Sequence, residues 1–170
     1  SAWYEANGFL RDAILHALDA DDSKRVARLV SENILILAEG ADLPELLERF
    51  QPEKLEDVCS RPWLCISIAW AKAYTAQMDD AESLIDRMEA SLPGRVSEEE
   101  RAHLMGHGLT IRAYVQWLKG RFEKAVEIAR EALTLIPEDD FLERANILII
   151  LGLATQNTLK NDEAIQIFRD

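Results

Sequence analysis

The chain has 170 residues, 48% of them hydrophobic and 29% charged, which suits one packed domain or a piece of a repeat array and excludes a disordered chain. Nineteen basic residues against 31 acidic ones leave a net charge of −12, and such a surface repels phosphate backbones and anionic membranes. Seven glycines and five prolines are too few for the turns of a β-sandwich, and no apolar run approaches the ~20 residues of a membrane span.

Helical periodicity runs through almost the whole sequence. In chain order, apolar spacing and end signals predict helices near 9–20, 22–38, 43–50, 62–76, 79–92, 97–119, 121–136 and 140–159, with a last one starting near Asn161. The steps Leu84, Ile85, Met88, Leu92 and Val126, Ala129, Leu133, Ile136 are representative. Start signals are Ser60 before Arg61-Pro62, and the pairs Asp79 with Glu82, Ser97 with Glu100 and Asp140 with Glu143. Gly40, Pro93-Gly94, Gly120 and Pro137 are the stops. Short connections make neighbours in sequence antiparallel neighbours in space, so the expected fold is all-α, built from helical hairpins.

Those hairpins repeat. Ala113, Gly120, Phe122, Ala125, Ala132 and Pro137 form a series of small residues, a turn, an aromatic wedge and a helix stop. Gly152 and Ala164 stand one repeat later where Ala113 and Ala125 stood. One repeat earlier, Ala69, Ala76, Met78, Ala81, Met88 and Pro93 fill the same register. Gly8, Leu10, Ala13, Ala17 and Ala20 are a degenerate front copy. The series resembles the tetratricopeptide repeat with a spacing longer than its usual ~34 residues. Such repeats imply a right-handed superhelix of antiparallel hairpins, a single repeat domain over 1–170.

More narrowly, Trp3-Tyr4-Glu5-Ala6-Asn7-Gly8 followed by Ala13-Ile14-Leu15-His16-Ala17-Leu18 resembles the opening of the sensor domain in MalT-like, LuxR-type transcriptional activators. Ser60-Arg61-Pro62-Trp63-Leu64-Cys65, Ala69-Trp70-Ala71 and Pro137-Glu138-Asp139-Asp140 extend the likeness along the chain. Leu159 replaces the usual turn glycine of the last copy, and Val26 stands where alanine is common. The resemblance implies a ligand- or partner-sensing module, flanked in such regulators by an N-terminal ATP-binding domain and a C-terminal helix-turn-helix. Neither motif lies in this sequence, which lacks G-x-x-x-x-G-K-[ST]. Trp3 to Ala6 read as the tail of an earlier helix, and the last helix runs without a stop to Asp170, so an internal piece of a longer regulator is expected. The implied partners are a small-molecule inducer or a regulatory protein, together with the neighbouring domains. Direct contact with nucleic acid or membrane is not expected, and ATP belongs only to the absent domain. The alternative is a general scaffold that takes a peptide or helix in its groove.

In such an array the first helix of each pair lines the inner surface. That face would hold Trp63, Ile66, Trp70 and Ala73 or Tyr74 on one helix; His107, Thr110, Tyr114 and Trp117 on the next; and Asn146, Ile149, Leu153 and Gln156 on the third. Rings bordered by amides suit sugars, aromatic metabolites or a partner helix. Packing between repeats is the competing reading for each ring taken alone, and the commoner fate of a helical aromatic.

Catalytic signals are missing. Glu99, His103 and His107 share one helical face, and that spacing can chelate a metal, yet Leu104 replaces the glutamate of H-E-x-x-H. Gly106 and Gly108 also loosen a helix there, so a solvated polar face without metal is expected. His16 reads as a packed or capping residue. Glu98-Glu99-Glu100 and Glu138-Asp139-Asp140 sit at predicted helix starts, where capping explains them without a partner. Two cysteines, Cys59 and Cys65, make neither a disulfide framework nor a zinc set, and no signal peptide is visible. The expected setting is a reducing cytoplasm, and the expected role non-enzymatic.

Overall fold

Backbone angles carry the repeat more plainly than the side chains do. In the computed structural model, which describes residues 8–39 and 61–158, Gly8, Ala76 and Gly120 take φ of 77°, 61° and 73°. Each is followed by a helix-capping residue of nearly one conformation: Phe9 at φ −87° and ψ 66°, Gln77 at −91° and 59°, Arg121 at −95° and 66°. Helices then begin at Leu10, Met78 and Phe122, and the amides of Ala13, Ala81 and Ala125 donate to the carbonyls of those capping residues. All three alanines are fully buried. The register read from small residues is therefore the register of the fold.

Every regular element among the described residues is an α-helix: α1 Leu10–Asp19, α2 Ser23–Glu39, α3 Pro62–Tyr74, α4 Met78–Ser91, α5 Glu98–Leu118, α6 Phe122–Leu135 and α7 Phe141–Asn157. Their ends differ by no more than two residues from the expected ones. The helices expected near 43–50 and from Asn161 lie outside the described residues, as do Ser60, Gly40 and Leu159. The chain forms two compact units, Ser1–Pro93 and Gly94–Asp170. In the first, α2 packs on α1 and on α3, and α4 closes on α3; in the second, α5, α6 and α7 all touch one another.

Three turns use one closure, the first with Asp21 at φ 54° and the amides of Asp21 and Asp22 donating to Leu18 O and Ala17 O. The amide of Ala76 donates to Ala73 O and that of Gln77 to Lys72 O; Gly120 and Arg121 donate likewise to Trp117 O and Gln116 O. This paired bonding satisfies carbonyls that a helix end leaves open, and it requires a left-handed residue at the turn. Glycine fills that place at 120, whereas Ala76 bears a Cβ that makes the conformation unfavourable by roughly 1–2 kcal/mol. Part of this gain would be lost to the greater freedom of glycine in the unfolded chain. Ala76→Gly is thus expected to stabilise the chain by about 0.5–1 kcal/mol, read as a higher urea midpoint; a lower midpoint would contradict the turn geometry.

Capping is as expected at two starts and different at a third, while Ser60 of the fourth lies outside the described residues. Ser97 accepts from the amide of Glu100 at 3.1 Å, and Asp140 from that of Glu143 at 3.1 Å. Asp79, by contrast, lies inside the first turn of α4, which Gln77 caps without its side chain. The repeated turn sets that start, overriding the capping signal. Arg61 precedes α3 and makes no side-chain cap; its guanidinium pairs with Asp21 at 2.9 Å. Within α2, Asn33 breaks helical geometry at φ −126° and ψ 17°, and its amide donates to Leu29 O at 2.9 Å. Val26, the departure from alanine, is fully buried.

The expectation that α3 turns one face outward needs correction. All residues from Leu64 to Ala71 are buried, Ser67 included. A helix apolar on most sides is buried on most sides, and α3 packs against both α2 and α4 in its unit, with Trp63, Lys72 and Tyr74 left half-buried. Cys65 is fully buried, and its Sγ donates to Leu84 O at 3.3 Å.

Candidate functional site

Charge and chemistry concentrate at one place in the second unit. Along α5, His103 and His107 are one turn apart, and their rings stand 5.0 Å from centroid to centroid. The start of α7 faces them. Asp140 is held there by its capping bond through Oδ1, which aims Oδ2 at the imidazoles. Oδ2 lies 2.8 Å from His103 Nε2 and 3.5 Å from His107 Nε2, and the two Nε2 atoms are 3.3 Å apart. One turn into α7, Glu143 places Oε1 3.3 Å from Nδ1 of His107, while its Oε2 accepts from Asn146 Nδ2 at 3.3 Å.

Burial is graded across the cluster. The side chains of Glu143 and His107 are 2% and 9% exposed, those of His103 and Asp140 25% each. Burial alone works against a charge on His107, yet Glu143 and Asp140 outweigh it and hold the imidazole up at about 9. Asp140 responds in the opposite sense. Its hydrogen bond to His107, against the effect of burial, and those from His103 and the Glu143 amide hold the carboxyl well below the usual range.

Two expectations are corrected here. The face carrying His103 and His107 is only partly solvated, because α7 packs over it: Glu99 is exposed, His103 half-buried and His107 buried. Asp140 does cap its helix, but capping does not exhaust it. Both histidines are its partners, so the acidic run at 138–140 is not explained by the helix end alone. The three atoms that converge, two imidazole nitrogens and a carboxylate oxygen, are all of a metal-ligating type. Glu143 went unnoticed in the sequence as anything but a capping partner. A usable signal existed: the repeat register sets His107 level with Asn146, and α5 and α7 are first helices of consecutive repeats. Residues one or two turns before Asn146 then meet those one turn before His107.

The other expected site residues fall in separate settings. In the first unit Trp63 is half-buried with Lys24 Nζ 5.6 Å above its ring. Trp70 is 4% exposed and tilts against half-buried Tyr74 at 5.7 Å, while Ile66 and Ala73 are buried. In the second unit Thr110 is buried and donates to Gly106 O at 3.0 Å along its own helix. Tyr114 and Trp117 are half-buried and tilt together at 5.9 Å, and burial pushes the Tyr114 phenol up. Asn146 is drawn into the cluster through Glu143, Leu153 is half-buried, and Ile149 and Gln156 are exposed.

The chain is similar to parts of two kinds of much longer protein. Over 136 residues, 79% of the chain, it is 32% identical to part of the serine/threonine-protein kinase PknK of Mycobacterium tuberculosis, the match covering 12% of that protein. PknK of Mycobacterium bovis matches equally. Over 147 residues, 86% of the chain, it is 26% identical to the HTH-type transcriptional regulator MalT of Serratia proteamaculans, here 16% of the protein. No family model and no solved structure matches the chain. The chain spans less than a fifth of each relative, and what it shares with them is a helical segment carried by a kinase in one case and by a transcriptional regulator in the other.

Proposed function

We propose that this chain is the input module of a MalT-like, LuxR-type regulator: a non-catalytic tetratricopeptide-like segment that senses an inducer or a regulatory protein and conveys its occupancy to attached domains. The observation that carries this reading is that one stretch of sequence recurs in two proteins with different outputs, a kinase and a DNA-binding regulator. A segment common to both is not expected to supply phosphoryl transfer or duplex reading, which favours the input side. The net charge of −12 also opposes direct contact with nucleic acid. ATP would belong to a domain outside this chain, and the working compartment would be the cytoplasm. Among the described residues no helix is long and apolar enough to cross a membrane.

Within the second unit the half-buried Tyr114–Trp117 pair is the part of the expected groove best suited to a ligand. Its rings offer area, and the indole N–H of Trp117 is buried without an acceptor among the described residues. A ligand that favours one arrangement of the helices shifts the population toward it, and the attached domains read that shift. Replacing both Tyr114 and Trp117 by alanine in the full-length regulator is expected to cut the inducer-dependent response at least about tenfold, with helix content of the chain retained. An unchanged response would remove the groove from the reading. A second reading has one observation in its favour: Phe141, Leu142 and Ile149 leave an exposed apolar strip on α7, as a scaffold for a partner helix would. In that case a partner protein, and no small molecule, would compete for binding.

A further inference from the structure

We propose that His103, His107 and Asp140 form a binding site for a divalent transition metal of the zinc class. The geometry is the first argument. Tetrahedral zinc with bonds of about 2.0–2.1 Å sets neighbouring ligand atoms about 3.3–3.4 Å apart. The three atoms here form a triangle with edges of 2.8, 3.3 and 3.5 Å, close to one face of that tetrahedron. Small movements of Asp140 and His103, which lie on the more exposed side, would make it regular.

Hydrogen accounting is the second argument. Each Nε2 carries at most one hydrogen. A hydrogen on His103 Nε2 directed at Asp140 makes that nitrogen a donor and takes away its lone pair as an acceptor for His107. A hydrogen on both nitrogens sets two N–H groups against each other at 3.3 Å. With the His107 hydrogen on Nδ1 the pair is satisfied by His103 Nε2–H alone, shared between Asp140 and the bare His107 Nε2; a single cation in its place would take a lone pair from each nitrogen and from the carboxylate at once.

The surroundings are those of a metal ligand set. Glu143 Oε1 lies 3.3 Å from Nδ1 of His107, the side on which a carboxylate supports a metal-bound imidazole, and Asn146 Nδ2 donates to Glu143 in turn; an ion would take the place of the hydrogen that charged His107 carries on Nε2. Asp140 is oriented by its cap, and the histidines by consecutive turns of a continuous helix, so all three ligands stand on rigid elements. Two imidazoles exclude calcium and magnesium, which prefer oxygen alone. The buried side of the cluster is closed by Glu143, whereas the side of His103 and Asp140 opens outward. An ion there would keep a fourth position for water or for an oxygen of a ligand. Such an ion would also tie α5 to the turn between α6 and α7. The expectation of no metal rested on Leu104 in place of the H-E-x-x-H glutamate and on Gly106 and Gly108; the third ligand proposed here, Asp140, stands at the cap of α7.

Titration of the metal-stripped 170-residue chain with zinc chloride by calorimetry is expected to give one ion per chain with micromolar or tighter Kd. Cobalt(II) should give the intense visible bands of a four-coordinate ion. His103→Ala removes a ligand from the partly exposed side without opening the core, and should weaken zinc binding at least about 100-fold. Glu143→Gln acts only through His107, a positioning role, and should weaken it about 10–100-fold while cobalt keeps its four-coordinate spectrum. X-ray absorption of the zinc-loaded wild type should count two imidazoles whether or not any variant folds. No saturable binding, undiminished affinity in His103→Ala, or fewer than two imidazoles would each overturn the site. None of these outcomes depends on what the regulator senses.

Discussion

His107→Leu is expected to destabilise the metal-stripped chain by about 3–5 kcal/mol, the usual effect of removing one member of a buried ion pair. The size follows from what is left behind. Glu143 is 2% exposed, and after the change it faces leucine with Asn146 as its side-chain hydrogen-bond donor among the described residues. Asp140 loses one of two imidazoles and retains the other. Adding Glu143→Leu to the same chain removes the stranded carboxylate and fills its space with a side chain of similar volume. Because buried ion pairs are often replaced by apolar groups at little net change, the double variant should recover most of the loss. Urea midpoints in the presence of a chelator measure both. A single variant as stable as wild type, or a double variant no better than the single one, would show that the pair does not hold α5 to α7. The design separates two roles for one histidine: fold stability is read without metal, and ligation is read with it.

How much of this was legible beforehand depends on the range of the interaction concerned. Helix limits were legible, because periodicity, turns and proline stops act within a few residues of where they are written. The repeat register was legible through Ala69, Ala76 and Ala81 against Ala113, Gly120 and Ala125, and the backbone angles of Ala76 and Gly120 agree with it. Faces were not. Trp70 and Ile66 looked like lining residues on an assumption that α3 has an outer side, and packing against α2 and α4 buries them both. The cluster was half legible. Two histidines one turn apart are visible along a single helix, but Asp140 and Glu143 reach them only through packing of α7 on α5. Both acidic residues already had a sufficient local explanation in capping, and a local explanation hides a distant one when one side chain serves both.

Gly106 shows the same tension between local and distant causes, and it sets the second large effect. Alone, a glycine inside a helix reads as a weak point that costs about 1 kcal/mol against alanine. Yet α5 runs unbroken from Glu98 to Leu118, and Gly106 is buried. The reason lies at the end of α6. A Cβ added at Gly106 would stand 2.5 Å from Cδ1 and 2.9 Å from Cγ1 of Ile136, and 3.3 Å from Cβ of Leu135. Ile136 can turn its side-chain end aside only by disturbing a position that is 4% exposed, and Leu135 Cβ cannot turn at all. For Gly106→Ala the gain in helix propensity, about 1 kcal/mol, opposes the collision and leaves a small net loss. Gly106→Val adds two branches into the same contact without that gain, and is expected to lose about 3 kcal/mol, the upper end of overpacking. Shortening the obstacle should help: in the Ile136→Ala background, Gly106→Val should lose clearly less than in wild type. Denaturation of the four chains of that cycle gives the coupling directly, and strict additivity would mean that the close approach of α5 to the end of α6 is not what keeps a glycine at this position.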